Sequence, residues 1–302
     1  MRQSEPCVYL ITLNWNRCED TLACLDSLQA LTYPNCRILV VDNGSTDNSV
    51  AAVQTSFPEV KLIETGRNLG FAGGFNMGIR YALSQGAEYT FLLNNDTLVD
   101  PALLDDLLKY ARPEVGLMGP AIFYVDAPER IWSTGGGLHP ILMEMTGNHG
   151  RKQALPRTPI ERKFLSGCAL LIRREVFERV GLLDERFFMY YEDLDFSVRA
   201  GAAGFRLLLV PQARLWHKVS ISSGGSDSPA ERYWMARSSV LFFAKHVRGV
   251  RWLAVGPYRT GSALKMTLRL ALKGRGASII AYWRGLGAGL KEVLRGRSSC
   301  AS

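Results

Sequence analysis

The chain has 302 residues, 47% of them apolar and 21% charged, which is enough to bury a sizeable core and ordinary for a folded soluble protein. Six cysteines lie at irregular intervals with no CxxC pair, which excludes a disulfide framework and points to free thiols in a reducing, cytoplasmic setting. The net charge of +8 is unevenly spread: from Lys245 onward twelve Lys and Arg stand against one acid, Glu292, so the positive field belongs to the tail and the rest of the chain is slightly acidic.

The first apolar run, VYLITLN (8–14), is too short for a signal-peptide core and reads as a strand. A helical stretch follows around Thr21 to Ala30, then the strand-like CRILVVDN (36–43) and a helix from about Asp47 to Ser56. VKLIET (60–65), the Gly-rich RNLGFAGGFNMGIRYALSQG (67–86), YTFLLNND (89–96), PALLDDLLKYA (101–111) and VGLMGP (115–120) continue the alternation. Strands alternating with helices predict right-handed crossovers and an α/β architecture, a mainly parallel central sheet flanked by helices. Ligands of such sheets bind beyond the C-terminal strand ends.

Residues 131–146 carry a Gly-rich turn between short strands, and 147–160 read as a loop. Beyond them, FLSGCALLIRREVFERVG (164–181), FMYYEDLDFSVR (188–199) and FRLLLVP (205–211) predict strand, helix, helix and strand, and 229–246 a helix with Ser228 as N-cap and Pro229 at its first position. No uninterrupted apolar segment reaches the roughly 20 residues that span a bilayer.

Short polar side chains end four predicted strands: LNWNR (13–17), VVDNGSTDNS (40–49), TGRNLGFAGGFN (65–76) and LLNNDT (92–97). Taken singly they are turns, caps or close helix–sheet approaches; on one sheet edge they form a nucleotide site. Asp42 can accept from a base N–H or a ribose hydroxyl, with Asn14 and Asn16 as the pocket floor. Asp96 ends an apolar strand and can hold Mg²⁺ or Mn²⁺, which take one or two carboxylates and complete their shell with phosphate and water. GFAGGFNMG lacks GxGxxG spacing, which disfavours a dehydrogenase. His217 follows the last predicted strand, either as a structural histidine or as a metal or phosphate contact, and Ser222 to Gly225 read as a loop over phosphate. Glu192, Asp193 and Asp195 are helix caps or a reactive centre.

Taken together, LNWNR, VVDNGSTDNS, RNLGFAGGFN, LLNNDT, the block from Phe164 to Ala200 and Trp216-His217 resemble the bacterial family-2 glycosyltransferases, in particular the rhamnosyltransferase-like branch. The resemblance covers about residues 7–246. It implies a GT-A nucleotide-diphosphosugar transferase fold, a divalent metal (Mg or Mn) and inversion at the anomeric carbon. By it, Asp42 matches the nucleobase-contacting acid, Asp96 the metal-binding acid of a DXD-like motif that here reads Asn94-Asn95-Asp96, Asp193 the catalytic base of the ED motif, and His217 a further metal or phosphate contact. The nucleotide-sugar set is then Asn14, Asn16, Asp42, Asn43, Gly44, Arg67, Asn68, Gly70, Asn76, Asn94 and Asn95. Glu192 orients the base, Asp195 pairs with Arg199 at i, i+4, and Tyr190, Tyr191 and Trp216 face sugar or acceptor, Phe188 adding to the apolar surround.

The expected reaction moves a sugar, rhamnose from dTDP-rhamnose first among the candidates, onto a lipid-linked glycan hydroxyl in cell-surface polysaccharide or O-antigen assembly. Rivals are a UDP-sugar-dependent transferase of the same fold and a catalytically degenerate sugar-nucleotide-binding protein. The expected domains are 1–246, catalytic, with a nucleotide-sugar half (1–120) and an acceptor half (121–246), and a basic amphipathic tail, 247–302. In the tail Lys265, Arg269 and Lys273 share a helix face, and Arg284, Lys291 and Arg295 another, opposite Trp283, Leu286 and Leu290. That pattern suits an anionic membrane surface, with docking on the main domain or a homodimer as alternatives, while Gly285, Gly287 and Gly289 weaken the helical pattern. Nucleic-acid binding is not expected, since no recognition module accompanies the charge.

Overall fold

A computed structural model describes residues 5–147, 155–219 and 226–298; the Ser222 to Gly225 loop lies outside the described residues. In chain order the first elements are β1 (Val8–Asn14), α1 (Cys18–Gln29), β2 (Cys36–Asp42), α2 (Ser49–Ser56), β3 (Lys61–Glu64), α3 (Gly70–Ser84), β4 (Tyr89–Asn94), β5 (Thr97–Val99) and α4 (Leu103–Leu108). Next come β6 (Val115–Tyr124), β7 (Ile131–Ser133), β8 (Gly136–Leu138), β9 (Met145–Gly147), β10 (Ile160–Arg162), β11 (Ala169–Arg173) and α5 (Arg174–Val180). The chain then forms α6 (Glu192–Ala202), β12 (Arg206–His217), α7 (Pro229–His246), a 3-10 turn (Gly249–Arg251), α8 (Trp252–Leu272) and α9 (Gly276–Ser298).

These elements form two compact units. The first takes 1–137, 147–185 and 192–219. Its sheet runs β10-β12-β6-β11-β4-β1-β2-β3, with β5 on β12 and β7 on β6. β1, β2, β3 and β4 are mutually parallel, as are β6 and β12, while β11 runs antiparallel between β4 and β6. Alternation along each strand fills both faces: Val8, Leu10, Val40 and Leu93 pack with Leu25, Leu28 and Leu104 on one side, and Ile11, Leu39, Val41 and Leu92 pack with Phe75, Ile79, Val176 and Phe196 on the other. α3 lies close on the sheet because Gly78 has no side chain; a Cβ there would meet Ile11 at 2.5 Å.

β12 runs six residues past the expected end at Pro211. Its register against β6 shifts between Val210 and Arg214, so a bulge takes up Pro211, which has no N–H to give the ladder. Trp216 and His217 are therefore strand residues, and alternation turns them to opposite faces. The 147–160 loop ends in a further short strand, β10, paired with β12.

The second unit takes 138–146, 186–191 and 220–302, so α7, which the sequence boundary at 246 groups with the catalytic region, is compact with the tail. Ser228 caps α7, its Oγ accepting from Glu231 N at 3.1 Å. α9 stays helical through its glycines, and the reason is close packing: a Cβ at Gly285 would stand 2.3 Å from Tyr233 O and one at Gly289 2.7 Å from Arg237 O. The small residues let α9 lie against the backbone of α7, while Ala236, Ala263 and Tyr282 form one buried cluster of the unit. Arg269 and Lys273 stay exposed along their length but pair with the buried carboxylate of Asp227, so two of the three basic residues on the expected cationic face of α8 have their charge matched within the unit.

Candidate active site

Parallel pairing of β1 with β2 sets Asn14 beside Asp42, and pairing with β4 brings Asn94 to the same edge. Asn14, 1% exposed, is the centre of a polar network. Its Nδ2 donates to Asp42 Oδ1 (2.9 Å) and Ser45 Oγ (3.0 Å); its Oδ1 accepts from Thr21 Oγ1 (2.9 Å) and Asn95 Nδ2 (3.2 Å). Asp42 Oδ2 accepts from Ser45 N at 2.9 Å. Buried polar groups persist where partners satisfy them, and here every partner is itself short and fixed.

The surrounding loops are held by the expected residues in supporting roles. Asn16 is exposed, with φ 52°, and its Oδ1 accepts from Thr46 N at 2.7 Å; it braces the rim rather than the pocket floor. Asn43 donates to Asn68 Oδ1 and Gly70 O, each at 3.1 Å, and accepts from Leu69 N at 2.9 Å, while Asn68 Oδ1 accepts from Gly70 N at 2.8 Å. Gly44 crosses the Arg67 backbone where a Cβ would lie 2.5 Å from Arg67 Cα; the Arg67 side chain is exposed. Asn76 is a correction. Its amide protons go to Leu183 O (2.9 Å) and Glu185 Oε1 (2.9 Å) and its oxygen accepts from Leu183 N (3.1 Å), so this buried residue holds the 183–185 segment against α3 instead of presenting its amide to a nucleotide sugar.

Antiparallel pairing of β5 with β12 sets Thr97 opposite His217 and so carries Asp96 to the imidazole: Oδ1 lies 3.0 Å from Nε2. Asp96 and His217 are both buried, and His217 Nδ1 has no hydrogen-bond partner. Burial opposes the imidazolium, but the negative partners outweigh it and the His217 pKa is raised. Burial also pushes the neighbouring Cys168 thiol up. Among the described residues no cluster of three or more His, Cys, Asp or Glu is placed to hold a metal ion. Asp96, a buried carboxylate, fits a cation that draws most of its ligands from a diphosphate and water, and the raised pKa of His217 means that its imidazole must give up a proton before a nitrogen can join that shell.

Trp216, expected beside His217, is on the other face. It packs on Phe123 (6.4 Å between centroids) and donates to Pro128 O (3.3 Å), so it is not part of this pocket. The indole that meets His217 edge-on is Trp132, at 4.5 Å, which no sequence motif marks.

α6 opens with Glu192 and Asp193. Gly167 N donates to Asp193 Oδ2 at 2.8 Å and Leu194 N to Oδ1 at 2.8 Å. A Cβ at Gly167 would stand 3.1 Å from Asp193 Cβ, so the Gly of FLSGCA makes room for the acid. The next residue, Cys168, accepts through its carbonyl from Asn94 N at 2.9 Å. Two consecutive residues thus tie Asp193 to the strand end that carries Asp96. Asp193 keeps part of its side chain accessible; its withdrawal from water raises its pKa, opposed by the two N–H donors. Glu192 is buried, with Oε2 unpartnered, and burial first, then the charge of Asp193, push it well above the carboxylate range. Burial thus raises both adjacent carboxyls, and only Asp193 has backbone N–H donors that oppose the rise. Asp195 pairs with Arg199 at 2.8 Å, as its i, i+4 spacing predicts.

In the second unit Phe188 stacks on Trp234 (4.3 Å between centroids) and Tyr191 packs on Phe242 (5.4 Å), so neither ring is a bare sugar platform. Tyr190 and Tyr191 both adopt left-handed backbone, φ 67° and 71°, a costly conformation for aromatic residues that concentrates at functional sites. Sequence reasoning also passed over Asp20, a buried acid that pairs with Arg17 and with Lys218 Nζ (2.6 Å), and Thr21, whose signal was its place one turn after LNWNR.

The polar network at Asp42 and the acids Asp96 and Asp193 stand at the C-terminal strand ends, the edge at which open α/β sheets take their ligands. The chain belongs to glycosyl transferase family 2, which matches residues 9–181, and is a nucleotide-sugar-dependent glycosyltransferase of GT-A fold. It is 31% identical over 258 residues to the N-acetylglucosaminyl-diphospho-decaprenol L-rhamnosyltransferase of Mycobacterium tuberculosis, covering 77% of this chain and 84% of that one. It is 26% identical over 248 residues to the dTDP-rhamnosyl transferase RfbF of Shigella flexneri (79% and 80%). Among solved structures, the mannosyltransferase PcManGT of Pyrobaculum calidifontis, in complex with GDP-Man and Mn²⁺, shares the fold at TM-score 0.59 and 17% identity over 98% of this chain and 80% of that one.

Proposed function

We propose that the protein transfers rhamnose from dTDP-rhamnose, with inversion, to a hydroxyl of a lipid-linked glycan during cell-surface polysaccharide assembly. The tie from Asp193 through Gly167 and Cys168 to the Asn94–Asp96 strand end carries this reading, because it spaces a base and a leaving-group site on one rigid frame. The two relatives whose names specify rhamnosyl transfer, one of them to a decaprenyl-diphosphate-linked sugar, support the donor and the acceptor.

In the proposed mechanism Asn14 and Asp42 receive the nucleoside, with Asn43, Gly44, Asn68 and Gly70 shaping the loops around it and Arg67 meeting phosphate. Asp193 takes the proton of the attacking hydroxyl as the bond from sugar to diphosphate breaks. Glu192, buried beside Asp193, orients the segment that carries the base. Asp96 and His217 would hold the divalent cation, Mg²⁺ or Mn²⁺, whose role is to neutralise charge on the departing diphosphate. Tyr190 and Tyr191 set the approach of the acceptor. Region 1–120 serves donor binding and 121–246 acceptor binding and catalysis, and the protein works at the cytoplasmic face of the membrane as a monomer or homodimer. Among the described residues no helix is long and apolar enough to cross a membrane.

The test is transfer by purified protein from dTDP-rhamnose and from UDP-N-acetylglucosamine or UDP-galactose to a polyprenyl-diphosphate-linked N-acetylglucosamine, with and without a chelator, the product linkage read by NMR. An inverted rhamnoside formed only from dTDP-rhamnose is expected; turnover with a UDP-sugar alone would replace the donor assignment, and turnover with none would leave a binding protein.

A further inference from the structure

In the second unit α8 presents its apolar residues outward. At about 100° per residue, Val255, Ala263 and Leu270, which are buried, define the packed side, and Leu253, Leu264, Leu268 and Leu272 fall on the opposite side. Leu253 and Leu272 are each 81% exposed, and Leu264 and Leu268 about 60%. α9 repeats the arrangement: Ser278, Tyr282 and Gly285 face α7, and Ile280, Trp283 and Leu290 are open. Trp283 Nε1 donates to Thr267 Oγ1 at 3.1 Å, and Thr267 borders Leu264 and Leu268 on the helix surface, so the two stripes join into one face. Exposed apolar area of this extent is uncommon on a monomer and marks an interaction surface.

The charges beside it distinguish the partner. Arg237, Arg259, Arg269 and Lys273 are spent on Glu292, Glu144 and Asp227 within the unit. Arg251 and Lys265 on the α8 flank, and Arg284, Lys291 and Arg295 on the α9 flank, have no ion-pair partner among the described residues. Glu292, the only acid of the tail, is already paired. A face with apolar residues along two side-by-side helices, an indole at the seam and only cations on its margins complements an anionic lipid surface, the apolar face entering the acyl boundary and the cations meeting headgroups.

We propose that α8 and α9 together form an interfacial platform that seats the protein on an anionic bilayer through Leu253, Leu264, Leu268, Leu272, Ile280 and Trp283. This deepens the proposed function, resting on it for the lipid-linked acceptor alone. The occupant is the lipid surface itself, and no bilayer-spanning segment is involved.

Co-sedimentation of the full chain with vesicles of phosphatidylcholine, alone or with about a third phosphatidylglycerol, tests it. The protein is expected to pellet with the anionic vesicles and to be released by salt. Leu264→Asp with Leu268→Asp, and separately Arg284→Glu with Lys291→Glu, should each weaken partition by at least about tenfold. Because these side chains are exposed, circular dichroism should be unchanged; were the leucine pair to misfold, the charge pair and quenching of Trp283 by brominated lipid, absent in Trp283→Phe, still decide. Failure of the wild type to bind anionic vesicles, partition indifferent to both pairs, or a solution dimer that the leucine substitutions split would overturn the platform. Asp193→Asn should bind vesicles like the wild type, so loss of transfer and loss of membrane binding are read separately.

Discussion

Asp42 and the Glu192–Asp193 pair are acid sites of the same unit treated in opposite ways. Asp42 has each oxygen engaged, by Asn14 Nδ2 and by Ser45 N, and Asn14 is fixed by Thr21 and Asn95 in turn. At the other site Asp193 has its backbone donors but stays partly open, and Glu192 is buried with an oxygen that nothing satisfies. A site that only recognises can be fully satisfied in the resting protein. On the proposed mechanism the site that takes up a proton keeps capacity in reserve, at a cost in stability.

The sharpest way to break that contrast is Asp193→Asn. Transfer should fall by about 10² to 10⁴ while thermal shift by the nucleotide sugar persists; kinetics and melting curves on the same sample check both. In the wild type the rate should decline on the acid side through a pKa raised above the ordinary carboxylate value, because protonation removes the base; a flat profile down to about pH 4 would separate Asp193 from catalysis.

Asp96→Ala should cost about a hundredfold or more in kcat/KM if it helps neutralise the departing diphosphate, and a chelator should then add little to the variant while inhibiting the wild type. Asp42→Ala should act on binding instead: about ten- to hundredfold weaker donor affinity, the worth of charge-assisted hydrogen bonds, with kcat at saturation little changed, read by calorimetry and initial rates.

Glu192→Gln sharpens the stability side. A carboxyl whose pKa is raised by folding favours the native state below its unfolded value of about 4.3, and that stability is lost as pH rises toward the folded value. The glutamine variant should therefore melt about 2 °C or more above the wild type at pH 8, with the difference vanishing near pH 4, and with a smaller loss of rate than Asp193→Asn. Smallest of all, Trp216→Phe should leave donor and acceptor kinetics within about twofold, since its ring faces Phe123 and Pro128, away from His217.

Much of this was legible in the chain. Strands ending in Asn, Asp and Gly identify the binding edge because a parallel sheet brings C-terminal strand ends together whatever else the fold does. Local spacing likewise carries the Asp195–Arg199 pair and the Ser228 cap, which depend only on helix geometry. Spacing does not carry what an amide is spent on or which way a strand residue turns. Asn76 looked like part of the Gly-rich loop and is instead consumed by Leu183 and Glu185, more than a hundred residues away. Trp216 and His217 are neighbours in sequence and opposites in space, because the strand continues past a bulge around Pro211 and successive strand residues turn to opposite faces.

The sequence by itself determined the family, the alternating architecture, the acids at 42, 96 and 193 and the basic amphipathic tail, since these follow from residue type and short-range period. Only the tertiary structure decided that Gly167 and Cys168 tie Asp193 to the Asp96 strand end, that Trp132 rather than Trp216 meets His217, and that Arg269 and Lys273 serve Asp227 while the leucines of α8 face outward. Those outcomes are set by which segments distant in the chain compete for the same donor, cation or face, and period alone does not name the competitor.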